Sequence, residues 1–160
     1  MYSILSKSDT IELKSPAEGK AAELSETPDP VFSSGIMGDG IAIEPKEGIL
    51  YSPVNGVVSQ VFPTKHAIGI VSDEGLEVLI HIGIDTVHLK GEGFESLVKE
   101  NDRVKIGDKL ISFNIDIIKS KAKAATVVML VTNMDMVEFI NFKYGDVDNR
   151  SSVIIVRKKT

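Results

Sequence analysis

Short runs of β-branched residues, separated by turn-forming residues, are the feature that most restricts how this 160-residue chain can fold. Valine and isoleucine favour extended backbone because their branched side chains pack well on a pleated sheet. Glycine, proline, asparagine and aspartate recur between the runs. The runs predicted to form strands are Ile41–Glu44, Val57–Phe62, Ile68–Ser72, Glu77–Ile82, Lys109–Phe113, Val127–Thr132 and Val153–Val156. The pattern predicts an all-β, antiparallel sandwich or barrel.

Helical connections are predicted to be few and short. Ile115–Ala122 has the length and apolar spacing of a helix of about two turns. Phe94–Lys99 is predicted to form one further helical turn. We interpret Met1–Lys14 as a short polar N-terminal extension and residues 15–160 as one domain, because a chain of this length builds one core.

A weak internal repeat predicts that the sandwich is built on a duplicated motif. Ser15-Pro16-Ala17-Glu18-Gly19 resembles Ser52-Pro53-Val54-Asn55-Gly56, and each copy is followed later by a Gly-Asp turn, at Gly38-Asp39 and at Gly107-Asp108. Proline restricts the entry into a strand and glycine permits the tight turn. The pattern is typical of the hammerhead-like half-barrels of biotinyl and lipoyl carriers. We therefore expect two hybrid halves that close into one sandwich.

Composition excludes several classes of protein. The net charge of −5 argues against a nucleic-acid partner, which requires a basic surface. The chain contains no cysteine, which excludes disulfides, zinc–thiolate sites and cysteine nucleophiles. Met1–Lys14 lacks the apolar run of a signal peptide, and no segment has the apolar length of a membrane span. We expect a cytoplasmic protein without membrane insertion.

The histidines His66, His81 and His88 are the candidates for nucleophilic chemistry. His81 alternates with apolar residues in a predicted strand, so its side chain lies on the face opposite the core. Gly83 on the same face leaves room for an approaching group. His66 precedes the neighbouring strand, and the short link Asp73–Gly75 predicts a hairpin that places His66 roughly opposite His81.

Two facing imidazoles suit phosphoryl transfer. Neutral imidazole is a nucleophile near pH 7 because its usual pKa is about 6.5, and a second ring can donate a hydrogen bond to a phosphoryl oxygen. Thr64, two residues before His66, can fix the tautomer of that ring. The alternative is structural: a histidine on a strand is commonly core or solvated surface, and a facing pair leaves the two interpretations about equal. We expect His88 to be a solvated surface residue.

Several motifs along the chain resemble one known family. They are Leu79-Ile80-His81-Ile82-Gly83-Ile84-Asp85-Thr86-Val87, Leu89-Lys90-Gly91-Glu92-Gly93-Phe94, Gly38-Asp39-Gly40-Ile41-Ala42-Ile43, Ser52-Pro53-Val54-Asn55-Gly56, Thr64-Lys65-His66-Ala67, Val104-Lys105-Ile106-Gly107-Asp108 and Asn133-Met134-Asp135. Together they resemble the signature of the glucose-family enzyme IIA proteins of the bacterial phosphoenolpyruvate:sugar phosphotransferase system. The resemblance extends from about Ile11 to Arg157, and the combination of motifs is specific.

The resemblance implies a phosphotransferase component with a phosphohistidine intermediate and no cofactor. In the family, the histidine at the position of His81 accepts a phosphoryl group from the small carrier HPr and passes it to a cysteine of the IIB domain of a sugar permease. The residue matching His66 supports the phosphoryl group, and the residue matching Thr64 hydrogen-bonds that histidine. Aspartates matching Asp29 and Asp85 flank the site. The chain has no P-loop motif, so the donor is expected to be a phosphoprotein.

The family docks both partners on one shallow apolar face around the histidines. The residues of this chain that we expect on that face are Val31, Phe32, Ile36, Met37, Phe62 and Leu79. Carboxylates such as Asp29, Asp39 and Asp85 can attract a basic rim on HPr. The alternative for the apolar residues, notably Val31 and Phe62, is that they belong to the ordinary core.

A zinc hydrolase on a related duplicated sandwich is one competing function. It requires an aspartate four residues after the first histidine and a His-x-His pair, but Ile70 and Gly83 occupy those positions. We therefore expect no resident metal, and adventitious zinc held by His66 and His81 is the one metal site left open.

Two further functions are alternatives to phosphoryl transfer. A biotinyl or lipoyl carrier requires a lysine at a hairpin tip beside methionine, and neither Lys65 nor Lys90 has that setting. A regulator that binds other proteins according to its phosphorylation state is compatible with a phosphocarrier, since one phosphohistidine can signal as well as transfer.

Overall fold

The computed structural model describes residues 10–159, which form a sandwich of antiparallel strands with short helices. The strands are β1 (Thr10–Lys14), β2 (Gly19–Glu23), β3 (Asp39–Pro45), β4 (Ile49–Tyr51), β5 (Gly56–Val61), β6 (Ala67–Ser72), β7 (Glu77–Ile84), β8 (Phe94–Ser96), β9 (Arg103–Val104), β10 (Lys109–Phe113), β11 (Ala124–Val131), β12 (Val137–Phe142), β13 (Gly145–Val147) and β14 (Ser152–Lys158). The helices are α1 (Pro30–Ser33) and α2 (Ile115–Lys121), with 3₁₀ turns at Leu24–Glu26, Val87–Leu89 and Met134–Met136. The expected all-β sandwich is confirmed.

The strands form one large sheet and two small ones. The large sheet has eight strands in the order β13-β2-β3-β11-β7-β6-β5-β9, and the small sheets are β1-β14-β12 and β4-β10-β8. One apolar cluster joins the three sheets, with Ile43 and Ile80 from the large sheet and Leu13, Leu110 and Val156 from the small ones. Neither helix within residues 10–159 has the length and hydrophobicity that a membrane crossing requires.

A second apolar cluster covers part of the opposite face of the large sheet. Strand β11 is apolar on both faces for this reason: Met129 joins the main core, whereas Val128 joins the second cluster. Leu24, Phe32 and Ile84 complete that cluster. The face therefore combines a buried patch with an open area, which is the setting of the histidines described below.

Backbone hydrogen bonds connect the two Ser-Pro copies reciprocally. The amide of Lys14 donates to the carbonyl of Pro53 at 3.0 Å, and the amide of Tyr51 donates to the carbonyl of Pro16 at 2.8 Å. In each copy the serine hydroxyl donates to the carbonyl two residues later, at 2.6 Å in the first and 2.7 Å in the second. The copies thus form the same turn and pack against each other about a local two-fold axis.

The Gly-Asp turns that follow the copies are not equivalent in the structure. The amide of Ser52 donates to the carbonyl of Asp108, and the amide of Ser15 donates to that of Ser151, both at 2.8 Å. Ser151 immediately precedes β14, whereas Asp39 begins β3. Asp108 and Ser151 therefore occupy equivalent positions, each accepting a hydrogen bond from the serine of one copy. The match of Gly38-Asp39 with Gly107-Asp108 made from the sequence is wrong, because similar residues there do not make equivalent hydrogen bonds.

The seven predicted strands are all present; Lys109–Phe113 has the predicted ends, and the ends of the others differ by at most three residues. The helical turn predicted at Phe94–Lys99 is wrong, because Phe94–Ser96 is strand β8 and pairs with β10. Its buried phenylalanine is followed by an exposed glutamate, which is the alternation of a half-buried strand. The predicted helix at Ile115–Ala122 is α2, which begins with the side chain of Asn114 accepting from the amide of Ile117 at 3.0 Å.

Strand β1 lies in the segment interpreted from the sequence as an N-terminal extension. It pairs with β14, with Ile11 opposite Val156, and the Leu13 side chain is fully buried. Ile11 and Leu13 therefore belong to the main core. Met1–Asp9 lie outside the described residues.

Removing the buried side chain of β1 is expected to destabilise the protein. Leu13→Ala should lower the free energy of unfolding by about 2–5 kcal/mol, because it leaves a cavity in a fully packed core. The matched control is Leu97→Ala, whose half-exposed side chain should change stability by only about 0.5 kcal/mol. Urea unfolding followed by circular dichroism measures both. Equal effects of the two substitutions would contradict a structural role for β1.

Candidate functional site

His81 lies in the central part of the large sheet. Strand β7 runs between β11 and β6, and His81 stands opposite Val128 on one side and Ala67 on the other. Its side chain projects from the open face beside the second apolar cluster. The ring of Phe32, from α1, lies with its centroid 4.9 Å from that of His81 at an angle of 57°. The strand and this aromatic contact together fix the direction of the imidazole.

His66 is brought to His81 by the β6–β7 hairpin. The residue immediately precedes β6, and its carbonyl accepts a hydrogen bond of 2.7 Å from the amide of Ile82. The two imidazole centroids are 4.9 Å apart with the rings at 75°. Phe62 meets the other side of His66 edge-on, with centroids 5.6 Å apart. The structure therefore brings the two rings together as the hairpin predicts.

The tautomer of His81 follows from one hydrogen bond. Its Nδ1 lies 2.8 Å from the carbonyl oxygen of Gly83. Because a carbonyl oxygen only accepts, the nitrogen that faces it carries the proton and donates. The lone pair of the neutral ring is then on Nε2. An electrophile that approaches the open face meets a nucleophilic nitrogen without prior loss of a proton.

Thr64 is the hydrogen-bond partner of His66. The threonine hydroxyl contacts Nδ1 of that ring. Lys65, between the two residues, has a φ of 61°, and this left-handed conformation curls the chain so that both side chains meet. When the hydroxyl donates to Nδ1, the ring proton of His66 resides on Nε2, where it can be donated to a ligand.

Both imidazoles are held in the neutral form. Burial lowers the pKa of His81 to about 4, and the proximity of His66 contributes to the same shift, against smaller opposing effects of the Gly83 carbonyl and Asp29. Burial also lowers the pKa of His66, which is only 6% exposed. At neutral pH the site therefore presents two uncharged rings.

The two aspartates assigned to the site have different settings. Asp29 caps α1, since its side chain accepts from the amide of Val31 at 2.9 Å, and its charge acts on His81. Asp85 is exposed in the turn after β7 and has a φ of 61°. Asp29 immediately precedes α1, the helix whose Phe32 contacts His81. Asp85 immediately follows β7, the strand that contains His81.

The apolar residues expected on the docking face divide into two groups. Val31, Ile36 and Met37 are 48%, 80% and 41% exposed, and Phe62 and Leu79 are half-buried. Phe32 is only 5% exposed. Its ring packs on His81 and does not form part of the exposed surface, because α1 turns it towards the second apolar cluster.

His88 is not part of the histidine pair. It is exposed in a 3₁₀ turn, and its Nε2 lies 3.0 Å from the carbonyl of Lys121, to which a ring N–H donates. The carbonyl of Gly83 and the ring of Phe32 are contacts that sequence reasoning did not assign. The His-x-Gly spacing near the end of β7 was the available signal for the first contact, and no local signal identified the second.

No metal centre is built into the described part of the chain. Within residues 10–159, no group of three or more His, Cys, Asp or Glu side chains is arranged to hold a metal ion. A third ligand at His66 and His81 would have to be supplied by another molecule. Adventitious zinc at this pair stays a prediction.

Comparison with known proteins shows which family this chain belongs to. A family model described as the phosphoenolpyruvate-dependent sugar phosphotransferase system, EIIA 1, matches residues 11–137. The chain belongs to this family. Glucose-specific EIIA components of the phosphotransferase system from Bacillus cereus and Bacillus anthracis are each 43% identical over 157 residues, which cover 98% of this chain and 95% of each relative.

Structural similarity agrees with the family match. The solved structure of glucose permease IIA from Mycoplasma capricolum superimposes on this EIIA chain with a TM-score of 0.85 and 36% sequence identity, covering 91% of this chain and 95% of that one. The EIIA family and its β-sandwich, both expected from the motifs, are confirmed.

The depressed pKa of His81 makes stability depend on pH in a defined direction. Between the usual pKa of 6.5 and about 4, the unfolded chain binds a proton on this ring that the folded protein does not. The free energy of unfolding should therefore fall as the pH is lowered through this window. His81→Gln should lose less stability than wild type between pH 7 and pH 4.5, measured by urea unfolding. Equal losses, or an NMR titration midpoint of His81 near 6.5, would contradict the assignment.

Proposed function

We propose that this EIIA chain accepts a phosphoryl group from phosphorylated HPr on Nε2 of His81 and passes it to the cysteine of the IIB domain of a sugar permease. The observation that carries the proposal is the hydrogen bond from Nδ1 of His81 to the Gly83 carbonyl. It leaves Nε2 unprotonated on the open face, next to a second imidazole. The family match supplies the reaction class, phosphoryl transfer in the sugar phosphotransferase system.

The first step is an exchange of one P–N bond for another. Nε2 of His81 attacks the phosphorus, the bond from phosphorus to the HPr histidine breaks, and its electron pair stays on that ring. His81 then carries phosphorus on Nε2 and a proton on Nδ1, so its ring is formally cationic. The Gly83 carbonyl, 2.8 Å from Nδ1, stabilises this charge by accepting the hydrogen bond.

The same hydrogen bond favours the second step. A thiolate of the IIB domain attacks the phosphorus, the P–Nε2 bond breaks, and His81 leaves as a neutral imidazole with its proton still on Nδ1. No proton has to be supplied for departure of the ring. The burial that lowers the pKa of His81 also makes a cationic ring less stable, so the phosphoryl group is held in a transferable form.

His66 is proposed to steady the phosphoryl group. Its ring lies 4.9 Å from that of His81, which places its Nε2–H within reach of a phosphoryl oxygen on the neighbouring ring. Donation from a preorganised ring stabilises charge without reorganisation during transfer. Thr64 acts on this ring, because its hydroxyl bonded to Nδ1 keeps the proton on Nε2.

The docking face is proposed to consist of the exposed apolar residues of α1 and the following loop, together with Phe62 and Leu79 at the other side of the histidines. Exposed Val31, Ile36 and Met37 are large apolar side chains of the kind that a partner covers. Asp29 and Asp85 provide negative charge at this face, which suits basic residues on HPr. Phe32 supports His81 from below and is not part of the proposed contact.

The two Bacillus relatives are named glucose-specific. We infer from this similarity that the chain serves a permease of the glucose type. Because its proposed partners act there, we expect this chain to act in the cytoplasm. Regulatory proteins that bind the chain according to its phosphorylation state are further proposed partners.

A reconstituted phosphorelay tests the roles of the histidines. Incubation with phosphoenolpyruvate, enzyme I and HPr should add about one phosphoryl group, detected by mass spectrometry, and His81→Ala should take up none because the nucleophile is gone. His66→Ala should still accept phosphate from HPr, while onward transfer to IIB should fall by at least about a hundredfold, the usual contribution of one transition-state hydrogen bond.

The matched control for the relay is His88→Gln, a change at an exposed histidine outside the pair, which should transfer at the wild-type rate. Full labelling of His81→Ala would refute His81 as the acceptor. Normal onward transfer by His66→Ala would refute the proposed role of His66 but not that of His81.

A charge placed on the docking face should weaken the complex with HPr. Ile36→Asp is expected to raise the Kd by about tenfold or more, because a buried carboxylate would replace an apolar contact. Ile106→Asp is the matched control, since Ile106 is 40% exposed in the turn between β9 and β10. Calorimetric titration measures both, and equal losses of affinity would place the interface elsewhere.

A further inference from the structure

Thr86 is a buried polar residue next to the site that the reaction described above does not use. It lies in the turn after β7, and its side chain is 0% exposed. Its hydroxyl donates a hydrogen bond of 2.6 Å to the carbonyl of Ile82. A buried hydroxyl with this geometry is a fixed anchor, because breaking the bond would leave a carbonyl without its partner.

The carbonyl that Thr86 holds belongs to the peptide unit joining Ile82 to Gly83. On the other side of Ile82, its amide donates to the carbonyl of His66 at 2.7 Å. Ile82 is therefore tied to the backbone of His66 through its amide and to Thr86 through its carbonyl. Rotation of the Ile82–Gly83 peptide would break the bond to Thr86, while the bond to His66 fixes the preceding His81–Ile82 peptide.

The methyl group of Thr86 restrains the same peptide from a second direction. Gly83 has a φ of 76°, and a Cβ added there would lie 2.4 Å from the Thr86 methyl carbon and 2.9 Å from the carbonyl of Ala124. The methyl group thus packs directly against the Gly83 backbone. Hydroxyl and methyl together leave the backbone at Gly83 little freedom.

We propose that Thr86 is the positioning residue that decides which nitrogen of His81 reacts. Its hydroxyl fixes the peptide unit before Gly83 and its methyl group packs against Gly83, so the two together restrict the φ and ψ of Gly83. These torsions direct the Gly83 carbonyl, which belongs to the next peptide unit, at Nδ1 of His81, 2.8 Å away, and so keep the ring proton there and the lone pair on Nε2. The tautomer is a property of the protein alone. Only the consequence for phosphoryl transfer rests on the proposed function.

Three substitutions separate this role from simple packing. Thr86→Val keeps the shape of the side chain and removes the hydroxyl, Thr86→Ser keeps the hydroxyl, and Thr86→Ala provides a second variant without hydroxyl if the valine protein does not fold. The matched control is Thr132→Val, because the Thr132 hydroxyl also donates to a β7 carbonyl, that of Glu77 at 3.3 Å, at the opposite end of the strand.

Long-range ¹⁵N–¹H NMR of the imidazole reads the tautomer directly, without any partner protein. Wild type, Thr86→Ser and Thr132→Val should show His81 protonated at Nδ1. Thr86→Val and Thr86→Ala should show a loss of that signature, with a fraction protonated at Nε2. A hydroxyl that merely stabilised the fold would lower the urea midpoint in these variants and leave the His81 nitrogen shifts unchanged, and that result would overturn the proposal.

The relay with phosphoenolpyruvate, enzyme I and HPr then reads the chemical consequence. Thr86→Val should accept the phosphoryl group about tenfold more slowly, because the loss of one hydrogen bond of ordinary net strength changes a rate by about this factor. In this variant, ³¹P NMR should find part of the phosphoryl group on Nδ1. Thr86→Ser should restore rate and linkage. Wild-type rate with label only on Nε2 in Thr86→Val would overturn the positioning role. Labelling of His81→Ala would instead refute the proposed function, and the tautomer result would stand independently.

Discussion

The antiparallel register of β6 and β7 is the constraint on which the site depends. Ala67 opposite His81 and the hydrogen bond from Ile82 to His66 put two imidazoles, fifteen positions apart in the chain, side by side on the open face. A slip of one residue would turn His81 into the core and bring Ile82 to the surface, because side chains alternate along a strand. The main core prevents this slip, since Ile80 and Ile82 are fully buried on the other face. Hydrophobic packing on one face of the sheet thus sets the geometry of a polar pair on the other face.

Burial keeps both histidines of this pair uncharged at neutral pH. An exposed histidine would carry a proton for part of the time near neutral pH, and a protonated ring has no lone pair to offer. Partial removal from water, together with the adjacent imidazole, keeps His81 uncharged. The Gly83 carbonyl then accepts the hydrogen bond that keeps the remaining ring proton on Nδ1. Gly83 can take this position because it has no side chain, since a Cβ there would clash with the Thr86 methyl group. In the proposed transfer, the protein contributes orientation and protonation state, and the phosphoryl donor contributes the driving force.

Much of this arrangement could be predicted from the sequence. The central strands, the hairpin and the facing of His66 and His81 follow from alternation and from the short link at Asp73–Gly75, which are local signals. The edge strand β13 and its neighbour β2 were not predicted, because Gly-Asp-Val and Gly-Lys-Ala-Ala-Glu carry few β-branched residues and are extended only through the strands they pair with. The same limitation applies to Phe32. Its contact with His81 depends on how α1 packs on the large sheet, a tertiary relation with no counterpart in residue spacing.

The pairing of β1 with β14 has a consequence for synthesis of the protein. Thr10 is opposite Arg157, so this small sheet cannot form until residue 157 has been synthesised. Contacts of such high sequence separation form slowly. The β6–β7 hairpin, in contrast, needs only the residues between His66 and Ile84, and it can form while the ribosome is still extending the chain. The hairpin that pairs the histidines can thus begin to form before β14 has been synthesised, whereas the core that holds its register is completed only when β14 pairs with β1.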